Sequence, residues 1–196
     1  MSHRDWRIII IPHQLSKTKT VLIAKLLTLA LIAAATPILR RDAITVEDDV
    51  NQKIAPGIST LSNDVNTFPA SGLAGAVAIH DDFEDLVSSV NHAITDTNST
   101  GSLDDESGAA ILNDVQVVIA GLLGVLSAIE NQATAWSSVP GGADLVLNDL
   151  HTLHTAFDNF ADALITNEPA SLSDQNTSLK TTIDSAFNSA EAAYAS

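Results

Sequence analysis

The sequence predicts an all-α fold: an antiparallel bundle of about five helices following a cleaved N-terminal leader. Three observations carry this. Apolar residues recur at steps of three or four through five successive segments. The segments are separated by polar or Gly- and Pro-bearing stretches such as SSVPGG and NEPASLSD. No window alternates with period two for long enough to make a strand. VQVVIAGLLGVL comes nearest, but its length and flanks favour a buried helix.

Residues 1–41 read as a signal sequence and a short pro-segment. From Val21 to Ala35 the chain is apolar apart from Lys25 and Thr28, with Lys17 and Lys19 ahead of it. That is short for a bilayer span of roughly 20 residues. It fits a secretory hydrophobic region of about 7–15 residues. Ala33, Ala34 and Ala35 supply a small-residue cleavage pattern, and Arg40-Arg41 a dibasic processing site. An uncleaved membrane anchor is the alternative. The stretch MSHRDWRIIIIPHQLS makes the segment ahead of the apolar run unusually long. Residues 42–196 then form a single mature domain, a secreted one with no stable membrane insertion.

Within it, the first stripe is Val46, Val50, Ile54, Ile58, Leu61, Val65 and Phe68. Thr45 and Asp48 resemble a capping box at its start. Pro56-Gly57 is expected to kink or split the helix. The second stripe is Leu73, Val77, Ile79, Phe83, Leu86, Val87, Val90 and Ile94, ended by the polar stretch TDTNSTGS. A third helix starts at Ser102, with Asp105 behind it, and runs from Ile111 to Ile129 or Trp136. The fourth carries Leu145, Val146, Leu150, Leu153, Phe157, Phe160 and Leu164. The fifth carries Leu179, Ile183, Phe187, Ala190 and Tyr194.

Charge excludes whole classes of function. Residues 42–196 hold 23 acids against only Lys53 and Lys180, a net charge of −21 with His neutral. Such a chain repels phosphate backbones and anionic headgroups, so nucleic acid is not a partner. There is no cysteine, so the core alone must hold the fold and thiol chemistry is excluded. Asn98-Ser-Thr and Asn176-Thr-Ser are glycosylation sequons.

No catalytic constellation stands out, and no cofactor is expected. His151 and His154 lie one turn apart and could hold zinc if a third ligand arrived, with Asp149 and Asp158 nearby. The simpler reading is two polar-face histidines beside the core residue Leu153, with no metal. HDDFEDL lacks the alternate spacing and the Gly of a calcium loop and reads as a solvated helix face. Gly121 and Gly124 either permit close helix packing or leave volume inside the bundle. Trp136 is either a core lid or an exposed anchor for an apolar surface. If a cavity exists, its candidate walls are Gly121, Leu122, Gly124, Val125, Leu153, Phe157, Phe160, Ile183 and Phe187.

The segments RRDAITVEDDV, ISTLSNDVNTF, SGLAGAVAIHDDFEDL, VNHAITDTNSTGSLDDESGAAILNDV and LVLNDLHTLHTAFDNFADAL resemble the hydrophobic surface binding protein A family, which includes fungal cell-wall galactomannoproteins. The resemblance covers most of residues 42–196. It implies a secreted, non-enzymatic helical protein of the extracellular space or cell wall. Family members adsorb to hydrophobic surfaces and recruit polyester-degrading, cutinase-like esterases, while galactomannoprotein relatives hold fatty acids inside a helical bundle. A structural mannoprotein without a specific ligand is the alternative, and a metal-dependent hydrolase a distant third.

Overall fold

The computed structural model describes residues 42–195. The leader, with Val21 to Ala35, Arg40 and Arg41, lies outside the described residues. Among these residues there are five long helices and no strand. Helix α1 covers residues 42–67, comprising an α-helical start, a π-helical turn at Val50–Ile54 and the α-helix Ala55–Thr67. Then come α2 (Gly72–Thr100), α3 (Asp105–Asn131), α4 (Gly142–Asn167) and α5 (Ser173–Ala192). A single turn, Ala133–Trp136, and a 3-10 turn, Ala170–Leu172, fill two of the connections.

Several local expectations give way to specific physics. Pro56-Gly57 does not split α1. The Ala55 N–H bonds to the Val50 carbonyl, so the wide π turn takes up the disruption just ahead of the proline. Thr45 lies inside the helix and not at its start, because the chain is already helical at residue 42. The stretch 95–100 is not a loop. Thr97 and Thr100 are buried with their hydroxyls bonded to the Ala93 and Thr97 carbonyls, so α2 continues until Gly101 takes a positive φ of 68°. The cap of α3 is Asp104 rather than Ser102. Its Oδ1 accepts the Ser107 N–H at 2.8 Å.

The helices form a closed ring in the order α1, α2, α4, α5, α3. Each touches its two ring neighbours, whereas α2 and α3, and α3 and α4, make no Cα approach within 8 Å among the described residues. Consecutive helices alternate in direction, as a bundle requires. Ring neighbours need not. His80 pairs with Asp149 and Asn98 with Asn167, so α2 and α4 run parallel. Asn51 pairs with Asp114 and Gln132 with Val65, so α1 and α3 do too.

Both ends of the ring are plugged. At one end Leu103, in the α2–α3 connection, is buried and donates its N–H to the Asn167 carbonyl at 2.8 Å. At the other, Trp136 is 1% exposed and stacks on Phe68 with centroids 4.3 Å apart. Trp136 is thus a core lid, and the exposed-anchor alternative is excluded. The interior between the plugs is one apolar cluster fed by all five helices. Two residues of the expected α2 stripe leave it: Leu73 and Val77 are 69% and 51% exposed, and Ala76, Ala93 and Thr97 face inward instead.

Replacing Trp136 with Ala removes the lid and its stack on Phe68. A loss of about 3–5 kcal/mol is expected from a large-to-small change at so buried a site, read as a fall in the urea midpoint at unchanged slope.

Candidate functional site

Two kinds of feature could carry function: the apolar interior and the seams between helices. Seven of the nine expected wall residues meet in the interior. Leu122 and Val125 enter from α3, Leu153, Phe157 and Phe160 from α4, and Ile183 and Phe187 from α5, all 3% exposed or less. Phe157 and Phe187 face each other tilted, with centroids 6.2 Å apart. The opposite wall comes from Ile58 and Leu61 of α1 and Phe83, Leu86 and Val90 of α2. These lay on the sequence stripes but outside the expected wall.

The two glycines do not line this interior. Gly121 and Gly124 are exposed on the outer side of α3. A Cβ on Gly121 would meet Ile58 Cγ2 at 3.4 Å, and one on Gly124 would meet nothing within 4 Å. Neither leaves room inside. The helical period explains this: Gly124 falls opposite Leu122, Val125 and Leu126, and Gly121 on the flank that faces Ile58 of α1.

The α2–α4 seam carries a run of three grooves that share residues. The largest, about 450 Å³, is bordered by His80, Phe83, Glu84, Val87, Ser88, Asn91, Asn148, Asp149 and Thr152. The next two continue along Thr155, Asn159, Asn98 and Thr166. Amides and hydroxyls dominate the borders beyond His80. His80 Nδ1 lies 3.0 Å from both carboxylate oxygens of Asp149. That hydrogen bond raises the His80 pKa. Burial pushes Asp149 up, while the bond from His80 pulls it back. The solvated-face reading of HDDFEDL holds for Asp81, Glu84 and Asp85, which are exposed. It missed His80, whose partner is 69 residues away.

The α4–α5 seam gathers His151 and His154. His154 stacks on Phe187 with centroids 4.7 Å apart, its Nδ1 3.0 Å from Glu191 and its Nε2 3.4 Å from Asp184. His151 is exposed and also faces Glu191, at 3.5 Å. Lys180 Nζ holds Asp162 at 2.7 Å and Asp158 at 3.3 Å. The pair weighed against a zinc site, and read instead as polar-face histidines, thus faces the carboxylates of α5 and helps to pin α5 to α4.

At the foot of α5, Asn176 is 3% exposed and its Nδ2 donates to Glu168 Oε2. The sequon there is overturned, because a sugar on this nitrogen would have to occupy the protein interior. Asn98 is exposed and keeps its sequon available. Burial raises Glu168 to about 7 despite the Asn176 bond, and burial followed by the charge of Asp64 raises Asp82 to about 6.

A protein-family model described as hydrophobic surface binding protein A matches residues 43–166. Among solved structures, AFMP4P in complex with palmitic acid is similar at 28% identity and a TM-score of 0.74, over 78% of this chain and 99% of that one. Ligand binding domain 1 of the Penicillium marneffei MP1 protein, complexed with arachidonic acids, has a TM-score of 0.72 at 14% identity, over 79% and 99% of the two chains. Ligand binding domain 2 of the same protein, complexed with multiple arachidonic acids, gives 0.71 at 16%, over 78% and 96%. The last two likenesses establish the fold alone. A search of curated proteins finds no match.

The acids at Glu168 and Asp82 set a pH dependence. Both have folded pKa values raised above the unfolded ones, so the folded state binds protons more readily. Their stabilising contribution is complete below the unfolded pKa and is lost as pH rises through about 6 and 7. Chemical unfolding should show stability falling between pH 5 and 8, and Glu168→Gln should recover about 1–3 kcal/mol at pH 8 with little change at pH 4.

Proposed function

Because the chain belongs to the hydrophobic surface binding protein A family, we propose that it is a secreted, non-catalytic binder of apolar material, maturing near Asp42. In this reading it holds fatty acid between the helices and adsorbs to hydrophobic surfaces through its exterior. The observation that carries the reading is the likeness to a palmitic acid complex at 28% identity, joined to a ring of helices around one continuous apolar core.

The energetics are sufficient without a cationic anchor. Each buried methylene contributes about 0.8 kcal/mol, so a sixteen-carbon chain gains on the order of 12 kcal/mol gross. Association removes roughly 4 kcal/mol or more. Lys53, Lys180 and the four histidines of residues 42–195 already face carboxylates. The lipid carboxyl therefore has to be met by neutral donors. The α2–α4 seam offers Asn91, Asn148 and Thr152 for this, with Phe83 of the same groove reaching the core. Entry there requires α2 and α4 to part, and the walls of the chain site are Leu122, Val125, Leu153, Phe157, Phe160, Ile183 and Phe187.

The adsorbing exterior is a separate surface. A groove of about 300 Å³ between α1 and α3 is bordered by Ala55, Ile58, Ser59, Ser62, Asn63, Val117, Val118 and Gly121, with no charged side chain. Val117 is 69% exposed. On so acidic a protein, a neutral patch is where close approach to an apolar solid costs least. Held there, the protein presents its other faces to a cutinase-like esterase.

Native mass spectrometry of the purified protein should reveal fatty-acid adducts that disappear on lipid extraction and return on adding palmitate. Protein that arrives bare and takes up none would remove the interior from the proposal. Val117→Asp should cut adsorption to polystyrene beads severalfold and leave palmitate uptake unchanged; equal adsorption by the two proteins would place the contact on another face.

A further inference from the structure

We propose a divalent transition-metal site on the α1–α2 seam, formed by Asp49, His92 and Asp96. Its donors come from two helices. Asp49 immediately precedes the π turn of α1, and His92 and Asp96 stand one turn apart on α2. Single-turn π segments often occur at functional sites.

The geometry is that of ligands around a shared ion. His92 Nδ1 lies 3.3 Å from Asp49 Oδ2 and 3.2 Å from Asp96 Oδ2. One donor atom from each of the three residues lies within 4.8 Å of the others. Tetrahedral zinc with bonds of about 2.0–2.1 Å holds neighbouring ligand atoms about 3.3 Å apart. One imidazole with two carboxylates suits zinc and its first-row neighbours better than calcium, which prefers an all-oxygen shell.

The burial of Asp49 adds to this geometry. Asp49 is 1% exposed, yet its Oδ2 accepts no hydrogen bond. A buried, unsatisfied carboxylate oxygen is costly. It is aimed at His92 and Asp96, while Lys53 Nζ takes only the other oxygen, Oδ1, at 2.5 Å. The outer side is open: the His92 side chain is 55% exposed and that of Asp96 23%, so water can complete the coordination.

The other three-residue cluster, His154, Asp158 and Asp184, is a poorer candidate. Lys180 sits 3.3 Å from Asp158, and the His154 Nδ1 is taken by Glu191.

The test uses zinc chloride and cobalt chloride on the purified, metal-stripped protein. Zinc should bind at one equivalent and raise the thermal midpoint by roughly 5–10 °C at a hundredfold excess over its dissociation constant. Cobalt should give the visible absorption of a low-coordinate nitrogen–oxygen site. His92→Ala, an exposed change that leaves the core intact, should abolish both signals, and Asp49→Asn should weaken binding at least tenfold. His154→Ala should retain them. No saturable binding to the wild type, undiminished binding by His92→Ala, or loss of binding in His154→Ala instead would each overturn the site.

Discussion

The fold depends on reconciling one apolar core with an extreme shortage of positive charge. From residue 42 onward only two lysines and four histidines face 23 acids. Five of these six cationic or potentially cationic groups bridge two helices: His92 serves α1–α2, His80 serves α2–α4, and His151, His154 and Lys180 serve α4–α5. Lys53 instead pairs within α1 with the buried Asp49. The remaining carboxylates repel one another in all directions, so apolar contact supplies the cohesion and the few cations decide where helices may touch. Partly buried pairs of this kind carry more weight than exposed ones, which are worth little.

This economy gives the molecule an acid-leaning character. Even beside these cations acids meet acids: Asp96 against Asp49 and Asp184 against Asp158, as well as Asp82 against Asp64. A proton bound to one member of each pair relieves the repulsion. The same proton lowers the net charge that resists crowding on a surface. Cohesion and adsorption therefore respond to acidity in the same direction, and the neutral groove beside Val117 is least affected.

The sequence makes much of the fold legible and less of its arrangement. Steps of three and four place Ile54, Phe83, Leu122, Phe157 and Phe187 in the core, because burial of one helical face is a local, periodic property. The ring order is not local. Nothing in the chain between Thr100 and Asp105 states that α3 must pass across the bundle to lie between α1 and α5. For the same reason the sequence leaves the side of the glycines open between packing and interior volume: Gly121 and Gly124 sit among apolar residues in sequence but are exposed in space. Asn176 follows the same logic. It looks like a surface sequon, and only Glu168 across the turn makes it an interior residue. Asp49, His92 and Asp96 were invisible as a group because 43 residues separate the first from the second.

The ring order also has a consequence for how the protein comes into being. The ring has no seam between α3 and α4, so it closes only when α5 lies between them. That helix leaves the ribosome after the other four. Until then α1 to α4 form an open trough, with Leu122 and Val125 on one bank and Phe157 and Phe160 on the other. Chains are made at about 5–20 residues per second, so the trough stands open for seconds before its final wall exists. The compartment that receives the nascent chain, and the lipids dissolved in it, meet the interior before the finished protein has one.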